Sequence, residues 1–431
     1  MSLADRDRAV VWHPFTQAAT APPPLPVVAA QGSWLQLADG TAVFDAIGSW
    51  WTCLAGHGHP RIVAAIAAQA ARLDHVLFAG CTHPGAVALA EQLIARAPPG
   101  LARVFFSDDG STAVEVALKM AIQYHAQGGQ PQRTRFLALT GGYHGDTVGA
   151  MSVGDPADFA GPFAPLLWPV ARLAPPLVQG DVLSASVDLT PALREVDRLL
   201  DVHGQTLAAV IVEPLVQGAG GMRMMPPAFI AALAVRLRAA GVLLIADEVM
   251  TGFARTGALF ACEHAGVTPD LMCVAKGLTG GTLPLAATLA TAAIHDRFLG
   301  QSARQAFLHG HSFTANPIAC AAALATLEVI DAENLLQRAR DLASLYAEVL
   351  PPLLAKPGVR AVRWAGSIGV LEMQGAGYHD AHASARIRDA CLAAGILLRP
   401  LGPVLYTLPP LTSALSDVAR VWQVIGAALT H

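Results

Sequence analysis

The sequence predicts an α/β protein: a mostly parallel central sheet covered by helices, with a smaller α+β domain beside it. Three observations carry that expectation. Through the middle of the chain, short apolar runs alternate with longer segments of helical rhythm. The runs "ARVFFSD", "RFLALTGGYHG", "TLAAVIVEP", "GVLLIADEV" and "DLMCVAKG" are apolar until they end in polar residues or glycine, as strands buried on both faces do. The two ends of the chain carry shorter, alternating pieces instead.

Taken in order, the chain begins with a proline-rich arm, "TAPPPLPVVAAQG". "SWLQLADG" and "TAVFDAIG" follow as short strands divided by a hairpin turn at Asp39-Gly40. "RIVAAIAAQAARLDHV" has a helical apolar rhythm, and "PGAVALAEQLIARAPPG" is a second helix, opened near a proline and stopped by Pro-Pro-Gly. Within the alternating region "STAVEVALKMAIQYHAQGG" and "PPAFIAALAVRLRAAG" are the clearest helices. Further on, one long helical run, "NPIACAAALATLEVIDAENLLQRARDLASLYAEVL", leads into two strands in "VRAVRWAGSIGVLEMQ"; another helix and a final strand pair close the chain. The resulting division is 1–54 for an N-terminal arm and part of the small domain, 55–320 for the large domain, and 321–431 for the C-terminal small domain.

Composition narrows the function. The 431 residues are 53% hydrophobic and 14% charged, with net charge −4. That length buries a large core, and a near-neutral charge without basic clusters argues against nucleic acid as a partner. Six scattered cysteines without a CxxC pair read as a reduced, intracellular chain, so the cytoplasm is the expected location and no metal site is expected. "MSLADRDRAVVWHPF" has early aspartates and no apolar signal core. The uncharged run "GLTGGTLPLAATLATAAIH" reads as a buried turn, a strand and a helix start rather than a membrane span, because glycine, proline and threonine interrupt it.

In an open parallel sheet, ligands bind beyond the carboxyl ends of the strands, and three such ends carry unusual residues. "FFSDDGS" opens a helix at Gly110-Ser111, where free N–H groups and the Ser111 hydroxyl would cradle a phosphate; the same residues also read as an ordinary helix cap. "GVLLIADEVMTGFARTG" sets Asp247 and Glu248 at the end of an apolar strand. A buried carboxylate needs a partner: a protonated ring nitrogen, magnesium, or a salt bridge with Arg255. The third is Lys276, one of only three lysines, at the end of the next strand. Of the others, Lys119 pairs at helical spacing with Glu115 on a surface, and Lys356 sits in a turn. A desolvated lysine loses its proton more readily and condenses with an aldehyde. Phosphate cradle, carboxylate and lysine together are what pyridoxal 5'-phosphate (PLP) requires. Tyr143 would stack on the ring, or serve as a core aromatic, and Val249 would close the opposite face.

With "LLIADEVMTGFARTG" followed by "PDLMCVAKG", the sequence resembles the class III (ω-type) aminotransferases of PLP fold type I. "VWHPFTQ", "GSWWTCLAGHGHP", "DDGSTAVEVALKMAIQY", "GGYHGDTVGAMSV", "VEPLVQGAGGM", "GLTGGTLPLAATLAT", "HGHSFTANPIACAAA" and "ILLRPLGPVLYTLPPL" extend the resemblance over essentially the whole chain. It implies that Lys276 holds the cofactor as a Schiff base and Asp247 pairs with its ring nitrogen. Gly110 and Ser111 hold the phosphate, joined by Ser312 of the other subunit, and Tyr143 stacks on the ring. Trp50, Trp51, Phe15, Tyr143, Asp146, Arg255, Gly310 and Arg399 fall at substrate positions, Arg399 binding carboxylate. The resemblance further implies a homodimer with its active site at the interface, and a place in biotin biosynthesis. S-adenosyl-L-methionine would donate the amino group and 8-amino-7-oxononanoate would accept it, giving 7,8-diaminononanoate. The alternatives are lysine as donor, or another ω-aminotransferase acting on ornithine, 4-aminobutyrate or a diamine. A fold type I mutase or decarboxylase would show no ketone-dependent exchange, and a non-enzymatic protein would leave Lys276 exposed. The chain departs from the family at Phe15, where tyrosine is usual, and at Asp109, Ala254 and His311. Phe15 removes a hydroxyl expected to contact the amino-ketone, while Ser312 keeps one for the phosphate.

Overall fold

The computed structural model describes residues 1–155, 160–375 and 382–429. Its centre is a seven-stranded sheet in the order Leu101–Ser107, Ala286–Thr291, Leu271–Val274, Leu243–Asp247, Leu207–Val212, Arg135–Leu139, Ala171–Leu173. Only Ala286–Thr291 runs antiparallel to its neighbours. The three middle strands, 207–212, 243–247 and 271–274, are buried at every residue, which is why they read as apolar runs without alternation.

The period of two along a strand sorts their side chains between faces. Leu243, Ile245, Leu271 and Cys273 pack toward the helix Gly110–Gln127, whereas Val210, Val212 and Leu244 pack toward Pro227–Ala240 on the other side. Asp247 has the parity of Leu243 and Ile245. It therefore emerges at the strand's carboxyl end on the face where Gly110–Gln127 begins.

Around this sheet the expected pieces fall into place, with three corrections. The turn at Asp39-Gly40 joins antiparallel strands Trp34–Leu37 and Ala42–Asp45, with Gly40 at φ 87°. The uncharged run becomes the turn Lys276–Thr279, the strand Ala286–Thr291 and the helix Ala292–Asp296. The long helical run, however, breaks at Asn334, whose φ is 52°, into Pro317–Ala332 and Leu335–Val349. Pro317–Ala332 packs on Pro60–Arg72, Pro84–Arg96 and the Lys276–Thr279 turn, so a domain boundary at 320/321 would cut a large-domain helix in two. Nor do the last strands pair with each other. Val404–Thr407 joins Ile368–Met373, while Ile396–Leu397 runs parallel to Ala42–Asp45 in the N-terminal sheet.

That pairing unites the N-terminal arm with the C-terminal segment. A further small sheet, Val404–Thr407, Ile368–Met373 and Val359–Ala365, takes Gly180–Asp181 from within residues 55–320 as its edge. Leu415–Ala428 closes the described chain as a helix. No described helix is long and apolar enough to cross a membrane.

Candidate active site

Asp247 is 4% exposed, and its two oxygens are held differently. Oδ2 lies 2.7 Å from His144 Nδ1, and Oδ1 accepts from the backbone N–H of Val249 at 3.1 Å. Its neighbour Glu248, pointing to the other face, accepts from Thr251 Oγ1 and from the N–H groups of Ala261 and Cys262, so it fastens the turn that follows the strand.

Lys276 follows the strand Leu271–Val274 at φ 43°, a left-handed conformation that an L-residue keeps only when its surroundings impose it. Burial draws its amine below the ordinary lysine pKa, against the opposing pull of Asp247 and Glu213. Its Nζ lies 4.6 Å from the centre of the Trp51 ring. The amine is thus closer to its reactive neutral form than that of a surface lysine.

At the helix Gly110–Gln127 the cap reading is met, and it leaves Ser111 out of the cap. Asp109 is the cap: Oδ1 accepts from Thr112 N at 3.0 Å, and the Thr112 hydroxyl answers to Asp109 N. Capping therefore does not use Ser111, whose Oγ accepts from Asp146 N at 3.3 Å. Gly110 has no room for a side chain, since a Cβ there would stand 2.7 Å from Val249 Cγ1. Gly145, at φ 126°, is likewise closed by Ser111.

These groups surround a cavity of about 470 Å³ lined by Asp109, Gly110, Ser111, Asp247, Val249 and Lys276, among others. A second cavity, about 330 Å³, is lined by Phe15, Trp50, Trp51, Thr52, Tyr143, Ala219, Lys276, Arg399 and Leu401. Lys276, Trp51, Thr52 and Tyr143 belong to both. In the second, Phe15 packs edge-on against Trp50 at 5.6 Å, and the Arg399 guanidinium lies 4.6 Å from the centre of the same Trp50 ring.

The tryptophans reach these cavities through an unusual turn. Gly48, Ser49, Trp50 and Trp51 are all left-handed, at φ 53°, 43°, 64° and 74°. For the three L-residues this costs roughly 1–2 kcal/mol each. Arg255 is one source of compensation, and here the structure corrects an expectation. Arg255 is not a wall of either cavity. Its guanidinium is buried behind the turn and donates to the carbonyls of Trp51, Cys53 and Pro409 at 3.1, 3.2 and 2.6 Å. Burial lowers its pKa to about 10. Nor does it pair with Asp247 or Glu248. A buried arginine with three carbonyls to satisfy is read correctly only once the chain has folded.

Other expected residues divide. Tyr143 lines both cavities, and burial, helped by a hydrogen bond to the exposed Asp146, holds its phenol above the usual pKa. Asp146 itself lines neither cavity. Gly310 and Ser312 are exposed and line neither cavity. Glu115 and Lys119 do not pair: Glu115 accepts from Thr147 Oγ1, Gly149 N and Ala150 N, and Lys119 Nζ meets His309 Nδ1 at 2.9 Å.

Sequence reading missed two groups. His144 stood next to Tyr143 without a role, and its partner Asp247 lies 103 positions away. Glu213, in "VEPLVQG", is buried in the first cavity and accepts from Tyr143 N and Gly218 N. Burial raises its pKa to about 7. A lone glutamate at a strand's carboxyl end was the available signal.

Helix N–H groups with a serine hydroxyl, a carboxylate braced by histidine, and a buried lysine line one cavity, and their chemistry fits the phosphate, ring nitrogen and aldehyde of PLP. The seven-stranded sheet and this site define a PLP-dependent enzyme of fold type I. The class-III aminotransferase family model matches residues 15–429. The chain belongs to the class-III aminotransferases. It is 49% identical to the adenosylmethionine-8-amino-7-oxononanoate aminotransferase of Synechococcus elongatus, across 97% of this chain and 98% of that one. The enzyme of the same name from Geobacter sulfurreducens is 40% identical over 97% and 95%. Among solved structures, the adenosylmethionine-8-amino-7-oxononanoate aminotransferase of Methanocaldococcus jannaschii superposes with a TM-score of 0.92 at 35% identity, covering 99% of this chain and 98% of that one. An amine transaminase from an uncultivated Pseudomonas species, in its PLP-bound form, gives 0.90 at 35% identity, covering 97% and 98%.

Proposed function

We propose that this enzyme transfers an amino group from S-adenosyl-L-methionine to 8-amino-7-oxononanoate, giving 7,8-diaminononanoate for biotin biosynthesis. One observation carries the reading beyond the class. The second cavity has an aromatic wall of Phe15, Trp50, Trp51 and Tyr143, with the guanidinium of Arg399 and the amine of Lys276 also lining it. An acceptor with a carboxylate, a methylene chain and a ketone matches that set: cation, apolar wall, amine. The relatives that bear this activity in their names span nearly the whole chain.

Bound PLP supplies an aldehyde that condenses with amines and a ring that takes up the electron pair of a broken Cα–H bond. The protein's residues do the rest. Lys276 Nζ would hold the aldehyde when no substrate is bound, and once free would take the proton from the substrate Cα and deliver it to the cofactor's aldehyde carbon. Asp247 would keep a proton on the ring nitrogen of bound PLP, and His144 holds Asp247 in place. Arg399, fixed over Trp50, binds the carboxylate of donor and acceptor in turn. The tryptophans and Tyr143 exclude water from the methylene chain.

The same reading assigns Gly310 and Ser312 to the site of a second copy, Ser312 contributing its hydroxyl to the phosphate. That makes the enzyme a homodimer with shared active sites, acting in the cytoplasm on small molecules.

A donor and acceptor screen on purified protein tests the proposal by product mass. S-adenosylmethionine with 8-amino-7-oxononanoate should give 7,8-diaminononanoate. Exchange confined to lysine, ornithine, 4-aminobutyrate or simple amines would replace the assigned substrates.

A further inference from the structure

The turn that seats both tryptophans is held from behind by a charge pair that the transamination chemistry does not use. Four successive left-handed residues persist only when their surroundings over-determine them. Asp45, fully buried, gathers three donors or partners there: Oδ1 accepts from Ile47 N at 3.3 Å, and Oδ2 accepts from Ser49 Oγ at 2.8 Å and faces His57 Nε2 at 2.9 Å. His57 is itself pinned, exchanging backbone hydrogen bonds with Gly32 at 2.9 and 2.7 Å. Its hydrogen bond to Asp45 raises its pKa to about 10, and that of Asp45 is lowered. The other ionisable groups acting on this pair are Cys53 and the Arg255 guanidinium behind the turn.

A buried ion pair adds little stability over apolar residues of the same volume. Apolar residues, though, would leave Ile47 N and Ser49 Oγ without an acceptor, and it is Ser49 that opens the left-handed run of side chains. We infer that Asp45 and His57 are positioning residues for substrate: their pair fixes Ser49 and so sets Trp50 against Arg399 and Trp51 over Lys276. This rests on the transaminase reading, because it gives the turn a task in binding the carboxylate-bearing chain.

The test uses holoenzyme of His57→Gln, His57→Ala and the double variant His57→Ala/Ser49→Gly. Cofactor absorbance and amine exchange in the wild type are measured first; their absence would sink the transaminase reading, and this inference with it. Given both, His57→Ala should raise KM for the carboxylate-bearing acceptor about tenfold or more and change kcat less, with cofactor affinity within about twofold. His57→Gln, which keeps a donor toward Asp45, should recover part of the loss. Glycine adopts left-handed backbone freely, so Ser49→Gly in the His57→Ala background should also lower KM again. An unchanged KM in both His57 variants, a loss confined to kcat in step with the folded fraction, or a double variant no better than His57→Ala would each overturn the inference.

Discussion

Asp247 and His144 meet at 2.7 Å across 103 residues of chain, the carboxylate delivered by the central strand and the imidazole by the loop that follows Arg135–Leu139. The contact fixes one carboxylate oxygen, and Val249 N fixes the other. Asp247 is therefore aimed before any ligand arrives. Replacing His144 with alanine should leave the cofactor bound but reduce single-turnover proton removal by roughly tenfold, less than the 10²–10³-fold expected for Asp247→Asn, which removes the charge itself. Stopped-flow absorbance on both variants measures the order.

Lys276→Ala should lose turnover altogether, together with the absorbance band of lysine-bound cofactor. Full activity in that variant would remove Lys276 from its role.

Gly110→Ala should weaken cofactor binding by about tenfold or more, since the new methyl stands 2.7 Å from Val249 Cγ1 at the place where the helix N–H groups are presented. Adding Val249→Ala frees that space and should restore part of the affinity. Equilibrium titration of the apoprotein with PLP gives both values.

Arg255→Met should destabilise the protein by roughly 2–4 kcal/mol, because three buried carbonyls lose their donor. Chemical denaturation checks the stability. The same variant should raise KM for acceptor, as the Trp51 and Cys53 carbonyls it releases belong to the tryptophan turn.

The Asp45–His57 pair gives stability a defined pH window. The raised His57 pKa contributes fully below its unfolded value of 6.5 and is lost as pH climbs through about 10. The depressed Asp45 pKa contributes above its unfolded value of 3.8 and is lost as pH falls through the folded one. The Tm gap between wild type and His57→Gln should thus be widest between about pH 4 and 6.5 and close toward pH 10. A gap that grows with alkalinity would contradict the pair.

Much of the fold was legible because burial on both faces writes itself as unbroken apolar runs, as in "LLIAD" and "LMCV". The site's ends were legible for a related reason. A charged residue directly after such a run, like Asp247 or Lys276, has no apolar explanation and calls for a partner. Arg255 shows where this fails. In sequence it is an arginine near an acidic strand end, but its partners are the carbonyls of residues 51, 53 and 409. Backbone groups carry no letter in the sequence.

Local pattern by itself determined the buried strands, the helix that opens at Gly110, and the singling out of Lys276 and Asp247 at strand ends, since each depends on neighbours within a few positions. Only the tertiary structure decided that His144 braces Asp247, that Asp45 and His57 hold a left-handed turn, and that Arg255 supports the pocket from behind. Those depend on contacts between distant segments, whose distances and hydrogen bonds exist only once the core has closed around them.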